Sequence, residues 1–230
     1  MASLFRKTLD VLETIIAIPF VPFLLLIGLF LPNEANSIVI LGTKRSGKST
    51  LWKGLGGIET VKANTSIEPV KSFDIVRKDG SKVTVSETYD IGGEDELVAN
   101  YGLIIKEDTF IYYLVDSNEV TVPSKMTRIR SDLVKIDKVV KEKGIEEDFG
   151  FKFILTHFYD YTKKNPKSGE YDLYRLFLKG LEKSKGRGVI GSRLTDENFN
   201  KIMMVAELDE KKAKKLGKDY IDIIKNEIGG

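Results

Sequence analysis

The stretch Ser37–Leu51, SIVILGTKRSGKSTL, constrains this chain more than any other. A short apolar run leads straight into Gly42-Thr43-Lys44-Arg45-Ser46-Gly47-Lys48-Ser49, which fits the pattern G-x-x-x-x-G-K-[ST], and a helix is predicted from near Ser49. A strand, a glycine-rich turn and a helix start in this order form a phosphate cradle. The glycines let several backbone N–H groups approach one anion, and the helix aims its positive end at it. The candidate phosphate-binding residues are Gly42, Thr43, Lys44, Arg45, Ser46, Gly47, Lys48, Ser49 and Thr50. Lys48 reaches the β and γ phosphates as a point charge, and the Ser49 hydroxyl is a candidate Mg²⁺ ligand.

Of the 230 residues, those beyond the first 36 amount to about one domain. The 36 basic and 34 acidic residues nearly cancel, so nothing global argues for a nucleic-acid partner. The absence of cysteine excludes disulfides, thiolate metal sites and thiol nucleophiles. His157 is the single histidine and has no sister with which to build a metal site or a triad.

Ahead of the loop, Ile15 to Leu31 is a run of 17 residues without a charge, at the lower edge of what a helix needs to cross a bilayer. Arg6 and Lys7 precede it, which places the N-terminus in the cytoplasm. A single span would then export the phosphate loop. Pro19 and Pro22 break the run and favour a re-entrant or monotopic hairpin with both ends cytoplasmic. Leu4, Phe5, Leu9, Leu12, Ile15 and Ile16 recur at helical spacing, which suits an interface-lying helix. The organisation expected is an amphipathic helix over 1–13, a membrane segment over 14–31 and a nucleotide-binding domain over 37–230.

After the loop, Gly54, Gly56 and Gly57 end the first helix early. The polar stretch Ile58–Pro69 then sits where a γ-phosphate sensor belongs. Thr65 is the candidate second Mg²⁺ ligand there, with Thr60 and Ser66 as alternatives. Val70–Arg77 and Lys82–Tyr89 are β-rich runs flanking Lys78-Asp79-Gly80-Ser81, a hairpin signal. The second run ends in Asp90-Ile91-Gly92-Gly93. A carboxylate at this strand end is able to hold Mg²⁺ through water, and Gly93 offers its N–H to a γ-phosphate.

With these two motifs the chain resembles the Ras-like small GTPases, and within them the Arf, Sar and signal-recognition-particle-receptor β group. The double glycine of Asp90-Ile91-Gly92-Gly93 and the strand Thr109–Val115 followed by Asp116-Ser117-Asn118 carry that likeness over roughly residues 37–228. The resemblance implies an α/β sandwich with a six-stranded, mostly parallel sheet and one antiparallel edge hairpin, binding GTP or GDP with Mg²⁺. The family's water-orienting glutamine falls at Glu94, whose charge implies slow or assisted hydrolysis. Arg45 stands where guanylate-binding proteins and atlastins carry an arginine finger engaged on dimerising, so Arg45, Lys48 and Glu94 are the catalytic candidates. In the N-K-x-D position for guanine, Asp160 keeps the aspartate, His157 replaces asparagine and Phe158 replaces lysine, with its ring able to stack on the base. Ala206 sits in the family's S-A-x loop, where only its backbone is used.

Elsewhere Met126, Ile129, Leu133, Ile136 and Val140 form a helical core stripe, Tyr171–Leu181 is a helix within an insertion, and Gly186–Gly191 is a flexible loop. The final helix spans about Asp209 to Ile228, with Lys211, Lys214, Lys215 and Lys218 outward. The function expected is that of a membrane-attached GTP-binding switch for a protein partner. The alternative is a receptor subunit in which bound nucleotide only shapes a docking surface.

Overall fold

The computed structural model describes residues 37–59, 67–92, 101–146, 150–195 and 199–228. The expectations for residues 1–31, Thr65, Gly93 and Glu94 lie outside these residues. Among the described residues no helix is long and apolar enough to cross a membrane.

Four parallel strands form the central sheet in the order β1-β6-β7-β8, with β1 at Ser37–Gly42, β6 at Thr109–Asp116, β7 at Gly150–Thr156 and β8 at Met203–Val205. Its middle strands are almost continuously buried, as a parallel sheet covered on both faces requires. Tyr112, Tyr113, Leu114, Phe153, Ile154 and Leu155 are all fully enclosed. The Tyr113 hydroxyl would be an orphan in such a core, and it donates to Asp132 Oδ2 at 2.7 Å. That partner comes from α3 (Pro123–Lys143), the longest helix, whose predicted stripe of Met126, Ile129, Leu133, Ile136 and Val140 is wholly buried.

Between β1 and β6 run α1 (Lys48–Leu55), four short antiparallel strands and the one-turn α2 (Tyr101–Ile104). The strands β2 (Ile67–Val70), β3 (Phe73–Val76), β4 (Lys82–Val85) and β5 (Thr88–Ile91) pair as β2 with β5 and β3 with β4. Ile67 faces Ile91, Val70 faces Thr88, Phe73 faces Val85 and Val76 faces Lys82, so one unbroken register runs through both pairs. The Asp-Gly turn expected at its tip is formed: Gly80 N–H donates to Arg77 O at 3.0 Å and Arg77 N–H to Ser81 O at 2.9 Å.

The six-stranded sheet is a correction. Among the described residues the ladder holds four strands, and the ribbon's β5 packs beside β1. A two-stranded ribbon twists more strongly than a wide sheet, which carries its edge out of hydrogen-bonding alignment with β1.

After β7 come α4 (Phe158–Lys164), α5 (Glu170–Gly180), α6 (Gly188–Arg193), α7 (Phe199–Ile202), and, beyond β8, α8 (Glu210–Lys215) and α9 (Tyr220–Glu227). Two expectations change here. The glycine-rich 186–191 stretch is no open loop, because the buried Asp137 carboxylate of α3 accepts from Ile190 N at 3.0 Å and caps α6. A Cβ on Gly188 would lie 2.0 Å from Asp137 Oδ2, so the glycine makes the approach possible. The single final helix is two, divided at Gly217 with its φ of 67° and restarted by the Asp219 cap.

Asp137→Ala should therefore strip the α6 N–H groups of their acceptor and lower stability by about 1–3 kcal/mol. Urea titration of the two forms measures this.

Candidate functional site

The phosphate loop leaves β1 pressed against β6. Gly42 has a φ of 140°, and a Cβ there would stand 2.1 Å from Leu114 O, so no other residue fits. Thr43 N–H donates to that same carbonyl at 3.2 Å. The backbone then takes left-handed turns at Arg45, φ 63°, and Gly47, φ 93°, the alternation that gathers successive N–H groups into an anion-binding concavity. Gly47 caps α1 without a side-chain hydrogen bond, and the first turn holds no acidic residue. The positive end of α1 is thus left to face the loop.

Lys48 is buried, with Nζ donating to Thr43 O at 2.9 Å and Gly42 O at 3.2 Å. Burial lowers its pKa to about 8, against the opposing pull of Asp90. Asp90, near the end of β5 and 41 residues beyond Ser49, accepts from Ser49 Oγ at 2.6 Å. Its carboxyl is pushed up by burial, an effect the Ser49 hydrogen bond opposes. The other carboxylate oxygen, Oδ1, is buried with no hydrogen-bond partner among the described residues. Lys44 and Arg45 are exposed at the crown of the loop, Ser46 is buried beneath it, and Thr50 is half-buried in the first turn of α1.

The crown is held from the far side by the end of β7. Thr156 Oγ1 bonds to Ser46 O at 2.9 Å, and His157 Nε2 lies 3.1 Å from Arg45 O, a donor when that nitrogen carries the proton. His157 itself is in the left-handed region, φ 56°, which turns the chain into α4. Phe158 follows, only 6% exposed, its ring stacked on Tyr161 in the core. Asp160 stays near the surface and accepts from Lys212 Nζ at 2.7 Å. Ala206 N–H is engaged by Leu155 O at 2.9 Å, extending the ladder one residue past β8. Three residues that the sequence patterns pass over hold this side together: Thr156, Lys212 and Glu207. Glu207 is 2% exposed and accepts from Tyr159 N and Asp209 N, both at 3.1 Å.

No family model matches the chain, and no curated protein does. Solved structures do match. Toc33 from Arabidopsis thaliana, in complex with GDP and Mg²⁺, aligns with a TM-score of 0.50 at 15% identity over 84% of this chain and 82% of its own. The fold is that of a P-loop GTPase domain. The Arl6 small GTPase of Trypanosoma brucei aligns at 0.47 and 13% identity over 85% of this chain and 99% of its own. A bacterial selenocysteine-specific elongation factor aligns at 0.44 and 20% identity over 82% of this chain. This chain spans only 27% of the elongation factor's length.

In this fold the donor set around Ser49 suits a hard cation. A hydroxyl and a buried carboxylate with one bare oxygen match Mg²⁺, which takes one or two protein oxygens and completes its shell with other oxygen ligands. Among the described residues no cluster of three acidic or histidine side chains offers a fuller metal cage.

Lys48 ties the loop to pH. Its folded pKa of about 8 lies below the 10.5 of an unburied lysine, so between these values the unfolded chain holds more protons than the folded one. In the absence of nucleotide, Lys48 therefore makes stability rise with pH across that window, and the gain is lost as pH falls through 8. Lys48→Met should flatten this rise, as followed by urea midpoints at several pH values.

Proposed function

We propose that the chain is a membrane-attached GTP-binding protein that hydrolyses GTP slowly and switches a protein partner. The observation that carries the reading is the 2.6 Å bond between Ser49 and Asp90, which joins the phosphate loop to the second motif and leaves Asp90 Oδ1 bare beside it. In this reading the loop N–H groups and the α1 terminus bind the phosphates, and Lys48 exchanges its two loop carbonyls for phosphate oxygens. Ser49, Asp90 and Thr65 hold Mg²⁺, whose charge would offset that of the phosphates. Gly93 donates its N–H to the γ-phosphate. Asp160 accepts from the guanine N–H groups, as the Arf, Sar and receptor β likeness implies. Residues 1–31 sit at the cytoplasmic face of a membrane.

Hydrolysis rests on Glu94 and Arg45. Glu94 orients the water but adds negative charge to a transition state already rich in it, which makes unaided turnover slow. In this reading Arg45, exposed at the loop crown, swings its guanidinium over the phosphates when two copies meet. The same glutamate favours a second reading, a receptor subunit that binds nucleotide without turnover.

Calorimetric titration with GTP, GDP and ATP in Mg²⁺ should give a clear guanine preference, and equal ATP affinity would sink the assignment. Binding should take up a proton near pH 8, because phosphates restore the charge that burial weakens on Lys48. Arg45→Ala should slow turnover by about two to three orders of magnitude, the scale of a lost transition-state contact. A parent protein with no turnover supports the receptor reading instead.

A further inference from the structure

The guanine reading leaves a gap on the base side, where Phe158 takes the place of the family's lysine and lies in the core. The structure fills the gap from another element. We propose that Lys212 of α8 is the positioning residue for base recognition, holding the Asp160 carboxylate in the orientation that accepts the base.

The geometry is specific. Lys212 Nζ donates to Asp160 Oδ2 at 2.7 Å, and among the described residues no hydrogen bond reaches Oδ1. An ammonium on one oxygen fixes the plane of the carboxylate while leaving the second oxygen, and one lone pair of the first, for two N–H donors. The Lys212 hydrogen bond, with its charge, also holds the Asp160 carboxyl below the usual carboxylate range. Asp160 is therefore presented ionised and acceptor-only.

Fold stability does not account for this arrangement. Both side chains are about one-third exposed, 32% and 36%, and pairs so placed add little to stability. The two elements that carry them are nevertheless fastened together at a real cost. Glu207 is a buried carboxylate, normally expensive, and it spends one oxygen on Tyr159 N–H in α4 and the other on Asp209 N–H, the cap of α8. Asp209 in turn accepts from Lys212 N at 3.1 Å, which fixes the start of Lys212's own turn. The Tyr159 ring adds a second fastening, with Lys163 Nζ of α4 and Lys215 Nζ of α8 at 5.2 and 5.4 Å from its centroid. One buried acid thus sets the spacing between the base-binding carboxylate and the cation that orients it.

This proposal rests on the guanine reading, and the test separates the two. GDP and ADP affinities of the 230-residue chain in detergent are measured by calorimetry with Mg²⁺ for the parent, Lys212→Met, Lys212→Arg, Glu207→Gln and Asp160→Ala. Lys212→Met should weaken GDP about ten-fold, the scale of one charge-assisted hydrogen bond, with ADP unchanged. Lys212→Arg should restore most of the loss, and Glu207→Gln should lower the GDP-to-ADP ratio in the same direction. If Asp160→Ala abolishes guanine preference while Lys212→Met preserves it, the positioning role is overturned and the guanine reading stands. A parent with equal affinity for GDP and ADP overturns both.

Discussion

A backbone pressed against a neighbouring strand has no room for a side chain, and Gly42 against Leu114 O is the contact on which this domain's chemistry depends. That contact fixes where the chain leaves β1 and hence the direction in which the loop curls. Everything above it is held by reference to the same two strands. Thr43 bonds to the Leu114 carbonyl from β1's side, and Thr156, at the end of β7, reaches Ser46 O and Val115 O together. Three adjacent parallel strands thus converge on one eight-residue turn, as expected where strand C-termini meet in an α/β sheet.

The loop's geometry was legible because its determinants are local. Gly42, Gly47, Lys48 and Ser49 fall within eight residues, the two glycines taking positive-φ backbone that other residues rarely adopt and Lys48 and Ser49 supplying an ammonium and a hydroxyl. Asp90 was legible by spacing, since a strand end after a hairpin returns to the edge of β1. The α3 stripe was legible by period. The side formed by the end of β7, α4 and α8 was not, because its arrangement is tertiary. Nothing in the run from Thr156 to Asp160 announces that Phe158 turns inward. Lys212 belongs to a lysine-rich surface on which only a neighbour 52 positions away singles it out.

The failures have one physical source. Sequence periodicity assigns faces but does not show where a helix will be capped by a distant side chain. Gly186–Gly191 looks like a loop until Asp137 supplies an acceptor for its N–H groups, and a helix forms. The final helix looks continuous until Gly217 turns left-handed and Asp219 starts a new one. The sheet was overcounted for the reverse reason. Hairpin signals identify which strands pair with each other and are silent on whether the pair joins a third.

The unbroken register of the β2–β5 ribbon has a mechanical meaning. Its strands cannot slide singly, since a shift of one residue would turn every buried side chain outward. One end carries Asp90, tied to Ser49, and the other carries Arg77 and Lys78, which bond to the Ile228 carbonyl and to Asn226 at the far end of α9. The ribbon is thus anchored at both ends, to the phosphate loop at one and to the end of α9 at the other.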